Sequence, residues 1–108
     1  MNYFENQDIA ITVCDYKANV VYQNAKSKEI FTDVAGRSLY ECHPAHAAAK
    51  IDKMLSDGEP NAYTIINKAG AKKMIYQNAW RDSEGNIKGL IEYSFVIPDE
   101  MAHFDRRK

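Results

Sequence analysis

Short stretches in which hydrophobic and polar residues alternate occur in both halves of the chain, and a period of two is typical of half-buried strands. Near the N-terminus, Ile9, Ile11 and Val13 alternate with smaller or more polar residues, which predicts a first strand over residues 9–14. A polar turn follows, and the apolar stretch at residues 20–23 predicts a second strand that completes a hairpin.

Three further β segments are predicted in the second half of the chain, at residues 62–67, 72–80 and 87–97. The turns between them are polar, contain glycine and span residues 68–71 and 82–86. Connections this short join antiparallel neighbours. We therefore expect the last three strands to lie side by side in one sheet.

Residues that start and stop helices stand between the two groups of strands. Asn24 is suited to accept from the free N–H groups of a first helical turn, which predicts a short helix ending near Phe31. Pro44 suits the first position of a second helix, which runs to about Asp57 and ends at Gly58. The order β-β-α-α-β-β-β predicts an α+β fold, a five-stranded antiparallel sheet with short helices on one face.

The length of 108 residues fits a single domain. We expect one domain over residues 1–108, with a core at about 8–98 and flanking segments at 1–7 and 99–108. A chain of this size buries one core, so no catalytic or output domain is expected beside it within these residues.

The net charge, the hydropathy and the number of cysteines limit the partners, the location and the metal sites that we expect. The net charge of −1 provides no field that attracts nucleic acid or an anionic membrane. No apolar stretch reaches membrane-spanning length and the N-terminus lacks a signal-peptide pattern, so a cytoplasmic location is expected. Cys14 and Cys42 are too few for a disulfide framework or a four-cysteine zinc site.

Several segments, in this order, resemble the PAS domain family. The stretch at 15–24 resembles the family's aspartate, turn, strand and asparagine pattern, although Ala18 stands where the family commonly has glycine. Residues 36–39 resemble the glycine-containing start of the middle helices, and residues 82–89 resemble the final hairpin. The resemblance covers roughly residues 8–98 and implies a PAS-like fold.

A narrower resemblance is carried by residues 41–44, with the sequence Glu-Cys-His-Pro, and by residues 73–77. Both are similar to stretches of small stand-alone bacterial PAS proteins. The resemblance implies a sensor that holds haem, flavin or a small metabolite between the sheet and the middle helices, or that serves as a dimerisation surface. Leu39 stands where the flavin photosensor branch has its reactive cysteine, so flavin adduct chemistry is not expected.

Cys42, His43 and His46 form the densest group of reactive side chains. Helical periodicity from Pro44 turns His46 toward water. Cys42 and His43 precede the helix and have three interpretations: packing and capping, contact with a ligand such as haem iron, or a thiol nucleophile beside a base. No orienting acid supports the third interpretation.

The fourth predicted strand offers a possible ligand wall. Met74, Tyr76, Asn78 and Trp80 share one of its faces, which combines apolar rings with a polar group. The alternative is an ordinary core with Asn78 satisfied locally, and Glu92 is interpreted either as solvent-facing or as a polar pocket residue. The candidate ligand-contacting residues are Tyr40, Cys42, His43, Met54, Met74, Tyr76, Asn78 and Trp80.

The leading hypothesis is a sensor or interaction module, not an enzyme, that binds a small ligand or a protein partner and signals through that partner or through self-association. The alternative is a haem-binding gas or redox sensor that uses Cys42 or His43, and a third hypothesis is a thiol-dependent enzyme at Cys42. No nucleic-acid or membrane partner is expected.

Apolar residues outside the predicted core suggest self-association. Tyr3 and Phe4 precede the first strand, and Met101 and Phe104 follow the last one. Flanking segments of PAS domains often pack on a second copy, and symmetric dimers are the commonest soluble oligomers. We therefore expect a homodimer, with fold-back or disorder of these segments as the alternative.

Overall fold

The computed structural model describes residues 2–42 and 45–107, and within them the chain forms a sheet with helices inserted between its second and third strands. The elements are β1 (Ala10–Asp15), β2 (Val20–Gln23), α1 (Ala25–Phe31), α2 (Leu39–Cys42), α3 (Ala45–Asp57), β3 (Asn61–Ile66), β4 (Lys72–Arg81) and β5 (Ile87–Val96). The predicted strands are confirmed to within one residue at each end. The short α2 was not among the elements predicted from the sequence, and Pro44 lies outside the described residues.

The five strands form one sheet in the order β2-β1-β5-β4-β3, and each neighbouring pair is antiparallel. The first and last strands of the chain are therefore neighbours, with Ala10 opposite Ser94 and Asp15 opposite Gly89. The segment with α1, α2 and α3 carries the chain from the β2 edge to the β3 edge. This arrangement confirms the predicted α+β fold.

The sheet has two faces with different surroundings. We define the inner face as the one that packs against α3, and Cys14 and Leu90 lie on it in the same buried cluster as Met54 of that helix. Because side chains alternate along a strand, Gln77 of β4 lies on the inner face. The neighbouring Tyr76 lies on the other side, which we call the outer face.

The hydrophobic core lies between α3 and the inner face near β1 and β5. Its buried members are Cys14, Ala18, Ile51, Met54, Leu55 and Leu90, and Leu39 and Ala79 pack against them. Burial of a large aliphatic side chain contributes roughly 1.5–3 kcal/mol. The three α3 residues of this cluster therefore hold the helix on the sheet and fix the position of the space beside it.

Asn24 starts α1, as predicted, and its fully buried side chain also connects α1 to two other segments. Oδ1 accepts from the Ser27 amide at 3.0 Å, which is the helix cap, and from the Ile11 amide of β1 at 3.0 Å. Nδ2 donates to the carbonyls of Phe4 and Ile9, each at 2.8 Å. One amide thus joins the N-terminal segment, β1 and α1.

The first turn is formed without glycine. Ala18 has a φ of 65° and is fully buried, so a left-handed conformation that favours glycine is occupied by alanine. Such a conformation costs an ordinary residue roughly 1–2 kcal/mol. Asp15 offsets this cost because its Oδ1 accepts from the amides of Lys17 and Asn19, each at 3.0 Å.

On the outer face, Trp80 crosses β5 and reaches β1. Its indole Nε1 donates to the Cys14 carbonyl at 2.9 Å. Gly89 lies between them, and a Cβ at this position would overlap both the Cys14 oxygen and the indole. Glycine is required at position 89 because the indole and the neighbouring backbone occupy the space of a side chain.

Candidate ligand-binding cavity

A cavity of about 310 Å³ lies between α3 and the inner face of the sheet. This volume is at the lower end of the range for small-molecule sites, which is roughly 300–1,000 Å³. Six elements contribute residues to it: β1, α2, α3, β3, β4 and β5. The residues that line it are Thr12, Cys14, Leu39, Ala47, Lys50, Ile51, Met54, Asn61, Tyr63, Gln77, Leu90, Ile91 and Glu92.

The helical side of the cavity is mostly apolar. Ala47, Ile51 and Met54 are three and four residues apart along α3, so one helix face presents them to the cavity. Lys50 also lines the cavity, but it is exposed to solvent. The apolar side therefore supplies shape and burial, with a cation at its rim.

The sheet side carries three polar side chains in one row across β3, β4 and β5. Asn61 is opposite Gln77, and Gln77 is opposite Glu92. Asn61 Nδ2 donates to Gln77 Oε1 at 2.9 Å, and Gln77 Nε2 donates to Glu92 Oε1 at 2.7 Å. We call these three residues the polar row.

The direction of the hydrogen bonds in the polar row follows from the chemistry of Glu92. A carboxylate has only acceptor atoms, so Gln77 has to present its NH₂ group to Glu92 and its carbonyl oxygen to Asn61. Asn61 then has to donate to Gln77. Within the described part of the chain, Asn61 Oδ1 and Glu92 Oε2 have no hydrogen-bond partner, and both are acceptors in residues that line the cavity.

Two further groups in the cavity hold their protons firmly. Burial raises the pKa of the Tyr63 hydroxyl, and the charge of Glu92 raises it further. Burial also raises the pKa of the Cys14 thiol, which counteracts thiolate formation at neutral pH. Tyr63 is therefore available as a hydrogen-bond donor, and Cys14 behaves as a small apolar wall residue.

Comparison with solved structures gives the same fold. The PAS domain of the histidine kinase ThkA superposes with a TM-score of 0.66 at 17% identity, over 82% of this chain and 99% of that one. A sensory box sensor histidine kinase from Vibrio cholerae superposes with a TM-score of 0.67 at 13% identity, over 89% and 86% of the two chains. The chain has the PAS fold.

A third neighbour is described as a bound form. The structure described as VqmA bound to DPO has a TM-score of 0.64 and 22% identity, and it matches 87% of this chain but 55% of its own. No protein-family model matches the chain, and no curated protein matches it. At these identities the likeness shows the fold alone.

Among the sequence-predicted site residues whose side chains the structure describes, one lines the cavity. Met54 lines it and is buried. Tyr40 is not one of the lining residues, because it lies on the exposed side of α2 and donates from its hydroxyl to Asp52 of α3 at 2.5 Å. That hydrogen bond raises the pKa of Tyr40 to about 12.

The predicted wall on β4 is on the wrong face for this cavity. Met74, Tyr76, Asn78 and Trp80 lie on the outer face, whereas Gln77 lies on the inner one. The alternation of side chains along β4 shows which residues share a face, but it does not show which face the helices cover. In the structure the four predicted residues lie on the face that points away from α3. On the outer face, Asn78 has a buried Oδ1 with no partner among the described residues.

The other predicted site residues fall outside the part of the chain whose side chains the structure describes. His43 lies outside the described residues, as do the side chains of Cys42 and His46. The haem hypothesis therefore stays a prediction. In the part of the chain that the structure describes, no group of three or more His, Cys, Asp or Glu side chains is arranged to hold a metal ion, and no helix there is long and apolar enough to cross a membrane.

Two residues of the polar row, Asn61 and Gln77, were missed in the sequence, and Glu92 was left between two interpretations. The signal that finds them is cross-strand register. Counting from the first of the two turns pairs 61 with 77, whereas the pairing of 77 with 92 also depends on the register shift between Trp80 and Arg81. Three polar residues in one row on a face that also carries Leu90 and Ile75 indicate a polar group inside an apolar surface.

Proposed function

We propose that this chain is a sensor module that binds a small molecule in the cavity between α3 and the inner face of the sheet. The observation that carries the proposal is the polar row, which brings open acceptor atoms to an apolar cavity with space for a small ligand. Polar groups placed in an otherwise apolar cavity are typical of small-molecule sites. A neighbour that shares this fold, described as VqmA bound to DPO, supports a binding function.

The signal is proposed to leave the domain through another protein or through a second copy of the chain. The sensory box sensor histidine kinase among the solved neighbours supports a signalling role. We propose a cytoplasmic location and no catalytic activity.

The binding function is tested by filling the cavity. Ala47 lines it, whereas Ala49 on the same helix is exposed and does not. After incubation with a small-molecule extract of the native host, native mass spectrometry is expected to show a bound small molecule on the wild type and on Ala49→Phe. Ala47→Phe is expected to lose it. Equal occupancy of the two variants, or no bound molecule on the wild type, contradicts the proposal.

Self-association is proposed to use the flanking segments. Tyr3, Phe4, Met101 and Phe104 are all more than half exposed, at 73%, 54%, 59% and 69%. Exposed aromatic residues at the two chain ends are available to pack on a second copy. Light scattering at micromolar concentration is expected to give a dimer mass, and Phe4→Ser combined with Phe104→Ser is expected to give a monomer. A wild-type monomer that persists at high concentration contradicts this.

A further inference from the structure

The polar row also indicates which ligand chemistry the cavity selects. Its open atoms, Asn61 Oδ1 and Glu92 Oε2, are acceptors. The orientation of the Gln77 and Asn61 amides is not an arbitrary choice, because the carboxylate at position 92 can only accept hydrogen bonds. A group that meets this row favourably has to bring hydrogen-bond donors. A ligand that brings only acceptors leaves these atoms unpaired, which is costly in a partly buried site.

The charges around the cavity favour a cationic donor. Among the described lining residues, Glu92 and Lys50 are the charged ones. Glu92 is half-buried on the sheet and held by Gln77, whereas Lys50 is exposed on the helix, where water and salt screen its charge. The carboxylate therefore acts more strongly on a molecule in the cavity than the ammonium does.

A second lysine, Lys73 on the inner face, does not outweigh the charge of Glu92 in the cavity. Lys73 lies on the inner face but is four residues before Gln77 on β4, a distance of about 13 Å along a strand. It lines a neighbouring groove rather than this cavity. Tyr63 and Glu92 line both spaces, and Tyr63 keeps its proton because burial and the charge of Glu92 raise its pKa.

We infer, on the basis of the proposed ligand-binding function, that the cavity selects a small ligand with an N–H donor group at the polar row, and that it prefers a cationic donor such as an amidinium to a neutral amide and a neutral amide to a carboxylate. The amidinium presents two parallel donors, which match the acceptors of a carboxylate. The aromatic or aliphatic body of such a ligand packs on Ile51 and Met54.

Three probes of equal shape test this order: benzamidine, benzamide and benzoate. Isothermal titration calorimetry of the full chain is expected to show benzamidine binding about tenfold more tightly than benzamide, because a charge-assisted hydrogen bond is roughly twice as strong as a neutral one. Benzoate is expected to bind most weakly. Glu92→Gln keeps an acceptor for Gln77 and the size of the side chain, and it is expected to reduce benzamidine affinity about tenfold while changing benzamide affinity less than about twofold.

Two variants serve as controls. Glu84→Gln removes a carboxylate in the exposed β4–β5 turn and is expected to leave all three affinities unchanged. Lys50→Met is expected to keep the order of the three probes. Benzoate binding as tightly as benzamidine, an unchanged benzamidine affinity in Glu92→Gln, or no binding of any probe overturns the inference. A host molecule that binds the wild type and is lost in Ala47→Phe keeps the proposed function even where the probe order fails.

Discussion

Two groups of polar side chains in this PAS fold, one around Asn24 and one in the polar row, differ in how completely they are paired. Asn24 is fully buried, and its amide makes four hydrogen bonds to protein groups, so both donors and its acceptor are used. The polar row is half-buried, and within the described residues it ends on two unpaired acceptors.

This difference distinguishes a residue that holds the fold together from the residues of the proposed binding site. A fully paired buried amide rigidifies the segments that it joins, and nothing remains for a ligand to bind. A row with open acceptors beside an apolar cavity costs stability unless water or a ligand pairs with them. Substitutions in the first group are therefore expected to change folding, and substitutions in the second are expected to change binding.

The largest expected effect is at Asn24. Asn24→Ala removes the helix cap and leaves the Ile11 amide and two carbonyls without partners. A lost cap costs about 1 kcal/mol and each unpaired buried group about 1–3 kcal/mol, so we expect a loss of about 3 kcal/mol or more. Urea unfolding followed by circular dichroism measures it.

The matched control for this substitution is Asn6→Ala, at an exposed asparagine of the N-terminal segment. It is expected to change the free energy of unfolding by less than about 0.5 kcal/mol. A comparable loss in both variants would show that Asn24 does not have the structural role assigned to it.

The contact between Trp80 and Gly89 extends the scaffold to the outer face. Gly89→Ala places a methyl group against the Cys14 carbonyl and the indole, and overpacking of this kind costs roughly 1–3 kcal/mol. We expect the urea midpoint to fall, with Lys88→Ala at the exposed neighbouring position close to the wild type. A Gly89→Ala variant as stable as Lys88→Ala would refute the packing described for Trp80.

The polar row is expected to behave in the opposite way. Gln77→Leu replaces the middle of the row with an apolar side chain of similar size, so we expect a change in stability of less than about 1 kcal/mol. Binding of benzamidine by the same variant is expected to weaken, because Gln77 no longer orients Glu92. A large loss of stability with unchanged affinity would place Gln77 with the scaffold instead.

The smallest expected effect concerns Tyr40, which the sequence assigned to the site and the structure places on the surface. The hydrogen bond to Asp52 raises its pKa from 10.0 to about 12. Because the folded-state pKa is above the unfolded value, the stability from this pair is complete below about pH 10 and is lost as the pH rises through about 12.

Absorbance titration at alkaline pH measures this effect, with Tyr40→Phe subtracted to isolate the one phenol. Asp52→Asn is expected to lower the pKa of Tyr40 toward its usual value. No difference between Asp52→Asn and the wild type would show that Tyr40 and Asp52 are not paired in solution.

Local patterns in the sequence predicted the elements and the fold, because alternation, Asn24 and Gly58 act over a few residues. The position of Ala18 in a left-handed turn was not predicted, since Asp15 stabilises that turn through side-chain bonds that composition does not reveal. The site was predicted less well. Which face of β4 the helices cover depends on the order of the sheet, and the strand's own residues do not encode that order.

Met54 and Met74 were both predicted as site residues, and the structure places them on different sides of the sheet. Met54 lines the cavity between α3 and the inner face, and Met74 lies on the outer face. Both carry a methyl group that carbon-13 labelling makes visible by NMR, so a single spectrum compares the two faces of the sheet.

The most direct test of the account is the methionine methyl spectrum of the full chain before and after addition of a small-molecule extract from the native host. Ligand binding in the cavity predicts a changed Met54 signal and an unchanged Met74 signal. A change confined to Met74, or no change at either methionine, would contradict the assignment of the binding site to the inner face.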